Sequence, residues 1–157
     1  MARQGHPGRC PAPFNRTNTM TRLEHIGIAV KDLEASNELF SLLLGKKPYK
    51  VEEVLSENVL TSFFKIGESK IELLEATSPE SAIAKHLEKR GEGLHHIAFE
   101  VEDIRSEMQR LRQAGFTLLN DEPKRGADNK LVCFLHPKGT NRVLIELCQD
   151  IREEDQA

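Results

Sequence analysis

The 157-residue sequence lacks any dense tract of basic residues. Its 22 lysines and arginines are offset by 25 acidic residues, which leaves little electrostatic attraction for nucleic acid or for an anionic membrane. It also lacks an apolar run approaching the roughly 18 to 20 residues that cross a bilayer, and it has no signal-peptide core. We therefore expect neither a nucleic-acid nor a membrane partner, and small-molecule chemistry is the favoured class of function.

Cysteine is scarce as well. The sequence has three cysteines, Cys10, Cys133 and Cys148. An odd number without CxxC spacing argues against both a disulfide framework and a thiolate zinc site. The pattern is typical of a reducing compartment, so we expect a cytoplasmic protein. Cys133 and Cys148 are expected to be small buried apolar side chains within strands.

The segment that precedes Met20 lacks acidic side chains, contains three prolines and shows neither helical nor strand periodicity. We expect residues 1–20 to be a disordered leader, with Met20 as the start of the folded protein. An acid-free leader with arginines suggests an organelle presequence, which would place the protein in the mitochondrial matrix, although prolines disfavour the amphipathic helix that such a segment forms. The alternative is a segment foreign to the natural protein. Residues 151–157 are expected to be a polar tail.

What the sequence does contain is an internal repeat. LEHIGIAVKDL, which begins at Leu23, returns as LHHIAFEVEDI, which begins at Leu94, so that His25 falls on His96. A second motif, IEL, also occurs once in each half and places Glu72 over Glu146. Each half of the chain therefore supplies one histidine and one glutamate at matched positions.

Both halves have the same predicted order of elements, β-α-β-β-β. Each begins with a strand of alternating branched apolar residues, followed by an aspartate cap and an amphipathic helix. Three short strands follow in each half, near 49–54, 59–66 and 70–75 and near 117–120, 130–135 and 142–148. We predict an α+β fold, a single domain at 21–150. It comprises module one at 21–77, a linker helix at 78–92 with Ser78 as a candidate cap, and module two at 93–150, related by a pseudo-two-fold.

The four matched polar residues lie on the strand faces away from the large apolar side chains. Small residues, Gly27 and Ala98 among them, share those faces and leave room above the sheet. A single histidine in a strand is usually a hydrogen-bonded structural residue, but four matched positions favour a mixed imidazole and carboxylate site. Two imidazoles and two carboxylates leave positions open on an octahedral ion, which suits Co, Mn, Ni, Fe or Zn acting as a Lewis acid.

Longer stretches resemble a known family. They are LEHIGIAVKDLE, KIELLEATSPESAIAKHLEKRGEGLHHIAFEVEDI and FLHPKGTNRVLIELCQ, which with the intervening sequence cover about residues 21–150. They are similar to the vicinal oxygen chelate (glyoxalase-like) superfamily, and within it to the methylmalonyl-CoA epimerases. The resemblance implies a curved mixed-sheet half-barrel around one divalent metal, in a homodimer, with Co²⁺ favoured and Zn²⁺, Mn²⁺ or Ni²⁺ as alternatives.

The resemblance also implies roles for individual residues. His25, His96 and Glu146 would be metal ligands, with Glu72 at the fourth position, whereas His95 alternates to the other strand face and is expected to be structural. The implied reaction is interconversion of (R)- and (S)-methylmalonyl-CoA, in which an α-proton is removed and returned through a metal-stabilised enolate.

Epimerisation requires a proton donor or acceptor on each face of the α-carbon. Glu146 is the first expected catalytic base. Some family members have a second glutamate in the middle strand of the first half, where this sequence has Thr61 or Ser62, and neither hydroxyl is a competent base at neutral pH. Symmetry nominates Glu72 as the second catalytic carboxylate.

Coenzyme A would require cations near its phosphates. The candidates in the last third of the sequence are Lys124, Arg125, Lys130, Lys138 and Arg142. The loop at 126–130 departs from the family, because a histidine often stands in the place of Asp128. Two alternatives stay open: another enzyme of the superfamily, such as a glyoxalase-type lyase, and a metal-free protein of the same fold that binds a small ligand.

Overall fold

The computed structural model describes residues 20–156, so the predicted leader lies outside the described residues apart from Met20. Module one contains β1 (Met20–Ala29), α1 (Leu33–Leu44), β2 (Lys50–Val54), β3 (Val59–Ile66) and β4 (Ser69–Ala76). Helix α2 (Ala82–Arg90) leads to module two, which contains β5 (Gly93–Val101), α3 (Ile104–Gln113), β6 (Lys124–Arg125), β7 (Lys130–Leu135) and β8 (Ile145–Asp150). Single 3-10 turns occupy Leu55–Glu57, Pro137–Gly139 and Glu153–Gln156.

Within residues 20–156 the strands form one eight-stranded mixed sheet in the order β2-β3-β4-β1-β5-β8-β7-β6. The order is symmetric about its centre, where β1 and β5 pair antiparallel. On either side of that centre, β1 pairs parallel with β4 and β5 pairs parallel with β8. The predicted α+β fold of two tandem modules, curled into a half-barrel, is confirmed.

Helices α1 and α3 pack on one face of this sheet, whereas α2 packs on the other face, where Ile83 contacts Ala29, Val59 and Leu74. Asp32 and Asp103 cap α1 and α3 as predicted, each accepting a backbone N–H at 3.0 Å. The apolar stripe of α3 packs with residues of β5, β7 and β8 in a cluster that includes Ile104, Met108, Leu111, Cys133 and Leu147. Cys133 and Cys148 are fully buried in strands β7 and β8, which confirms the expectation for them.

Three predicted boundaries are wrong. Helix α2 is capped by Ser81, whose hydroxyl accepts from Ala84 N, because Ser78 belongs to the preceding turn. The predicted strand at 117–120 is reduced to one bridge, since the Asn120 side chain takes the N–H of Phe134 that a strand partner would have received. The strand predicted from 142 begins at Ile145, because Arg142 has left-handed backbone geometry (φ 67°).

The helices of the described chain are short. Within residues 20–156, none is both long and apolar enough to cross a lipid bilayer.

Candidate metal centre

Strand register brings the four repeated polar residues together. Across the sheet, Gly27 of β1 pairs with Glu72 of β4 on one side and with His96 of β5 on the other. In the matching row, Ala98 of β5 stands between His25 and Glu146. Residues in one cross-strand row point to the same face, so both histidines and both carboxylates project from the concave side around two small residues.

The donor atoms of these four side chains lie close together. His25 Nε2 lies 2.9 Å from His96 Nε2 and 3.1 Å from Glu72 Oε2, and His96 Nε2 lies 3.1 Å from Glu146 Oε2. The cross distances are 3.6 Å from His25 Nε2 to Glu146 Oε2 and 3.4 Å from His96 Nε2 to Glu72 Oε2. Ligands about 2.1 Å from a common ion and at right angles lie about 3 Å apart, so this spacing fits one divalent ion.

Because the four side chains are buried together, the protonation state of each depends on the other three. All four residues are at most 5% exposed. Burial alone would raise the pKa of Glu72 and Glu146, but the two imidazoles hold both values well below the usual range. Burial likewise opposes protonation of His25, yet the surrounding carboxylates raise its pKa. Two buried carboxylates thus require positive charge, and a cation at the point where the Nε2 atoms converge satisfies all four groups.

The four donors line a cavity of about 340 Å³. Its wall is mainly apolar and includes Val59, Phe63, Leu74, Ile83 and Phe134. An apolar enclosure with a few converging polar groups is typical of a small-molecule site, and it strengthens electrostatic interactions within it.

Gly27 is required by the position of the His96 ring. A Cβ atom on Gly27 would lie 2.1 Å from His96 Cε1, far inside van der Waals contact. The small residue predicted to leave room above the sheet therefore makes space for the His96 ring.

Residues 24–134 match the family model of the Glyoxalase/Bleomycin resistance protein/Dioxygenase superfamily. The chain belongs to this superfamily. It is 43% identical over 130 residues to the ethylmalonyl-CoA/methylmalonyl-CoA epimerase of Cereibacter sphaeroides, covering 82% of this chain and 97% of that protein. It is 37% identical over 129 residues to the mitochondrial methylmalonyl-CoA epimerase of Homo sapiens, covering 82% and 73%.

A solved structure gives the same result. A variant of Streptomyces coelicolor methylmalonyl-CoA epimerase in complex with 2-nitronate-propionyl-CoA matches with a TM-score of 0.82 at 38% identity, covering 85% of this chain and 100% of that one. The predicted membership of the glyoxalase-like superfamily, with resemblance to its methylmalonyl-CoA epimerases, is confirmed.

The middle strand of module one of this glyoxalase-superfamily chain carries two adjacent hydroxyl side chains, Thr61 and Ser62. Thr61 is fully buried and lines the cavity, whereas Ser62 points to the other face and hydrogen-bonds Asn37 of α1 at 2.5 Å. Thr61 is therefore the residue that occupies the cavity side of this strand.

His95 lines the cavity, which corrects its expected place on the other face. Its Nδ1 lies 2.9 Å from Nδ1 of His96, and its ring packs edge-on against His86. Burial and the neighbouring imidazoles lower the pKa of His95 to about 3, so the ring is neutral and can accept a hydrogen bond.

The structure also reveals a buried carboxylate that the sequence reasoning missed. Glu24 is 1% exposed and lines the cavity next to His25. The β1–β5 register skips Glu24, since Leu23 pairs with Phe99 and His25 with Ala98, and such a bulge turns two successive side chains inward. One sequence signal could have identified Glu24. It is a charged residue at a position where strand alternation predicts an apolar side chain, two residues before Ile26.

Of the five predicted phosphate-binding cations, the structure places two in the cavity wall. Lys130 is buried and bonds Asp150 at 2.5 Å, and Lys124 bonds Glu57 at 2.5 Å. The other three, Arg125, Lys138 and Arg142, are exposed on loops or edges outside the cavity lining. Their contact with a phosphate stays a prediction.

A loop of module two is anchored on module one. Asp128 accepts hydrogen bonds from Lys70 Nζ at 2.7 Å and Tyr49 Oη at 2.8 Å, and its own N–H bonds Glu52 at 2.9 Å. Gly126, Ala127 and Asp128 of this loop line the cavity, so these bonds hold one wall of the site in place.

Replacing Asp128 with asparagine is expected to lower the free energy of unfolding by about 1–3 kcal/mol, because the charged acceptor is lost while left-handed backbone geometry (φ 56°) remains accessible. Urea unfolding measures the change. Asp121→Asn, at an exposed position in the same connection, is the matched control. Equal stability of both variants would show that the anchor contributes nothing.

Proposed function

We propose that this protein is a metal-dependent epimerase that interconverts (R)- and (S)-methylmalonyl-CoA. The observation that carries the proposal is the convergence of one histidine and one glutamate from each half on a single point of an apolar cavity. Relatives at 43% and 37% identity bear the name of this activity, and the similar Streptomyces coelicolor enzyme was solved with a propionyl-CoA analogue.

The metal ligands in this proposal are His25, Glu72, His96 and Glu146. Two nitrogen and two oxygen donors suit a divalent transition metal. The resemblance to the methylmalonyl-CoA epimerases favours Co²⁺, with Zn²⁺, Mn²⁺ or Ni²⁺ as alternatives. When bound, such an ion supplies Lewis acidity, which lowers the energy of negative charge on the thioester oxygen as the α-proton leaves. The apolar wall excludes water from the reacting carbon.

The two carboxylates approach from opposite sides. Glu72 stands on β4 and Glu146 on β8, with the central pair β1 and β5 between them. A carboxylate that gives one oxygen to a cation keeps a second oxygen that can accept a proton. Glu146 accepts the α-proton from one face of the α-carbon, and Glu72, protonated before the reaction, donates its own proton to the other face, with the roles exchanged in the reverse direction.

Replacing Glu72 with glutamine tests this division of labour. The amide oxygen retains a ligand for the metal, but the side chain can no longer carry a proton, so turnover should fall by about 10²–10⁴ with the metal still bound. Glu75→Gln, three residues along the same strand and on its other face, is the control and should be unaffected. Near-normal turnover of metal-loaded Glu72→Gln would exclude Glu72 as the second catalytic carboxylate.

Deuterium exchange tests the reaction itself. The metal-loaded protein should incorporate solvent deuterium at the α-carbon of methylmalonyl-CoA and interconvert its two epimers. Absence of exchange would reject the epimerase and leave a different enzyme of the superfamily, such as a lyase. A protein that retains no divalent ion, and whose Tm no divalent ion raises, would be a metal-free binder.

A further inference from the structure

Each ligand histidine has a second nitrogen, and in both halves the preceding residue faces it. Glu24 Oε1 lies 3.6 Å from His25 Nδ1, and His95 Nδ1 lies 2.9 Å from His96 Nδ1. Among the described residues, His25 Nδ1 has no hydrogen-bond partner, so Glu24 is the group placed to receive its proton. Ligating histidines almost always give their distal N–H to such an acceptor, which sets the tautomer and the orientation of the ring.

Glu24 is itself held in place. Its Oε1 accepts from Lys70 Nζ at 2.8 Å, and Lys130 Nζ lies 3.8 Å away. The side chains of Glu24, Lys70 and Lys130 are all buried. Oε2 of Glu24 has no partner among residues 20–156, which leaves this carboxylate with capacity for a further bond.

We infer that Glu24 and His95 are the positioning residues of the metal centre, and that they make its two histidine ligands chemically unequal. A carboxylate, that of Glu24, stands behind His25, whereas a second imidazole, that of His95, stands behind His96. The repeat retains the ligand types in both halves but not the groups that orient them. This inference rests on the metal site of the proposed function and assigns an additional role to residues outside the ligand set.

A carboxylate behind an imidazole increases its basicity as a ligand more than a neutral ring does. His25 is therefore the stronger donor of the pair, and loss of Glu24 should weaken metal binding more than loss of His95. The effect acts on affinity for the ion and does not require catalysis to be observed.

The test is titration of the metal-stripped protein with Co²⁺, monitored by calorimetry and by the visible ligand-field absorption. Glu24→Gln should bind Co²⁺ about 10–100-fold more weakly than wild type with an altered absorption band, and His95→Gln should lose less. Glu107→Gln is the matched control, because Glu107 is also 1% exposed and paired with a cation, Arg110, on the far side of the sheet. It should bind Co²⁺ as wild type does.

A double variant separates positioning from charge balance. Glu24→Gln leaves Lys70 with one carboxylate fewer, and its uncompensated charge could itself repel Co²⁺. Glu24→Gln combined with Lys70→Met removes both charges, and if Glu24 orients His25 the affinity stays low. Recovery of wild-type affinity in the double variant, or wild-type affinity of Glu24→Gln alone, would overturn the inference.

Failure of the positioning role of Glu24 can be distinguished from failure of the proposed function. Wild-type protein that binds Co²⁺ but catalyses no deuterium exchange rejects the epimerase and leaves the Glu24 comparison valid. Wild-type protein that binds no Co²⁺ overturns the metal centre and the positioning role together.

Discussion

Replacing His96 with alanine is expected to abolish both retention of a divalent metal and epimerase turnover. His96 Nε2 lies 2.9 Å from His25 Nε2, 3.4 Å from Glu72 Oε2 and 3.1 Å from Glu146 Oε2. Its loss therefore removes a nitrogen that is close to all three other donors. The remaining pair of buried carboxylates would then share one imidazole. Metal affinity should fall by more than the roughly 10–100-fold expected for loss of an outer partner. Elemental analysis and deuterium exchange on the same preparation measure both effects.

His136→Ala is the control for this substitution. His136 directly follows strand β7 of module two, but its Nδ1 accepts from Lys138 N in a turn and it does not line the cavity. We expect normal metal content and turnover in that variant. Full metal content in His96→Ala would remove His96 from the ligand set and would contradict a metal centre formed by both halves of the repeat.

Replacing Gly27 with alanine is expected to have the second-largest effect, although it adds one methyl group. The new Cβ would lie 2.1 Å from His96 Cε1 and 2.4 Å from its Nδ1, so the ring must leave its position. Overpacking of this kind typically costs about 1–3 kcal/mol of stability, and here the displaced group is a proposed metal ligand. Metal content should collapse while circular dichroism shows a folded protein with a lowered Tm.

Gly139→Ala provides the comparison, because its Cβ would meet Phe116 at 3.6 Å, an ordinary contact. That variant should retain metal and turnover. If Gly27→Ala binds metal as tightly as wild type, then the His96 ring is not confined by the backbone of β1 and the predicted effect is wrong.

Much of the fold and the four donors could be predicted because the repeat encodes them twice. A strand pattern at His25 and its copy at His96 specify equivalent positions in equivalent modules, and two modules that pair through β1 and β5 must bring those positions together. The caps Asp32 and Asp103 were predictable for the same reason, since the signal is local and duplicated.

The surroundings of the donors were not predictable in this way. Glu24 faces the cavity because one residue is inserted in the register of β1, and a bulge shifts the alternation without a change in composition. Lys130 was predicted as a phosphate-binding cation, but the structure buries it in a pair with Asp150. Such long-range ion pairs depend on which strands become neighbours, which local periodicity does not contain.

Each of the two cross-strand rows contains one donor from module one and one from module two, and this arrangement has a thermodynamic consequence. Glu72 and His25 come from module one, and His96 and Glu146 come from module two, so neither half alone offers more than two donors. An ion bound to the four proposed ligands would join segments from opposite halves of the chain, and the complete site would form only after β1 has docked on β5. By linkage, free ion at about 1,000 times its Kd would favour the docked state by about 4 kcal/mol. Occupancy of the centre would then report that the two halves have assembled.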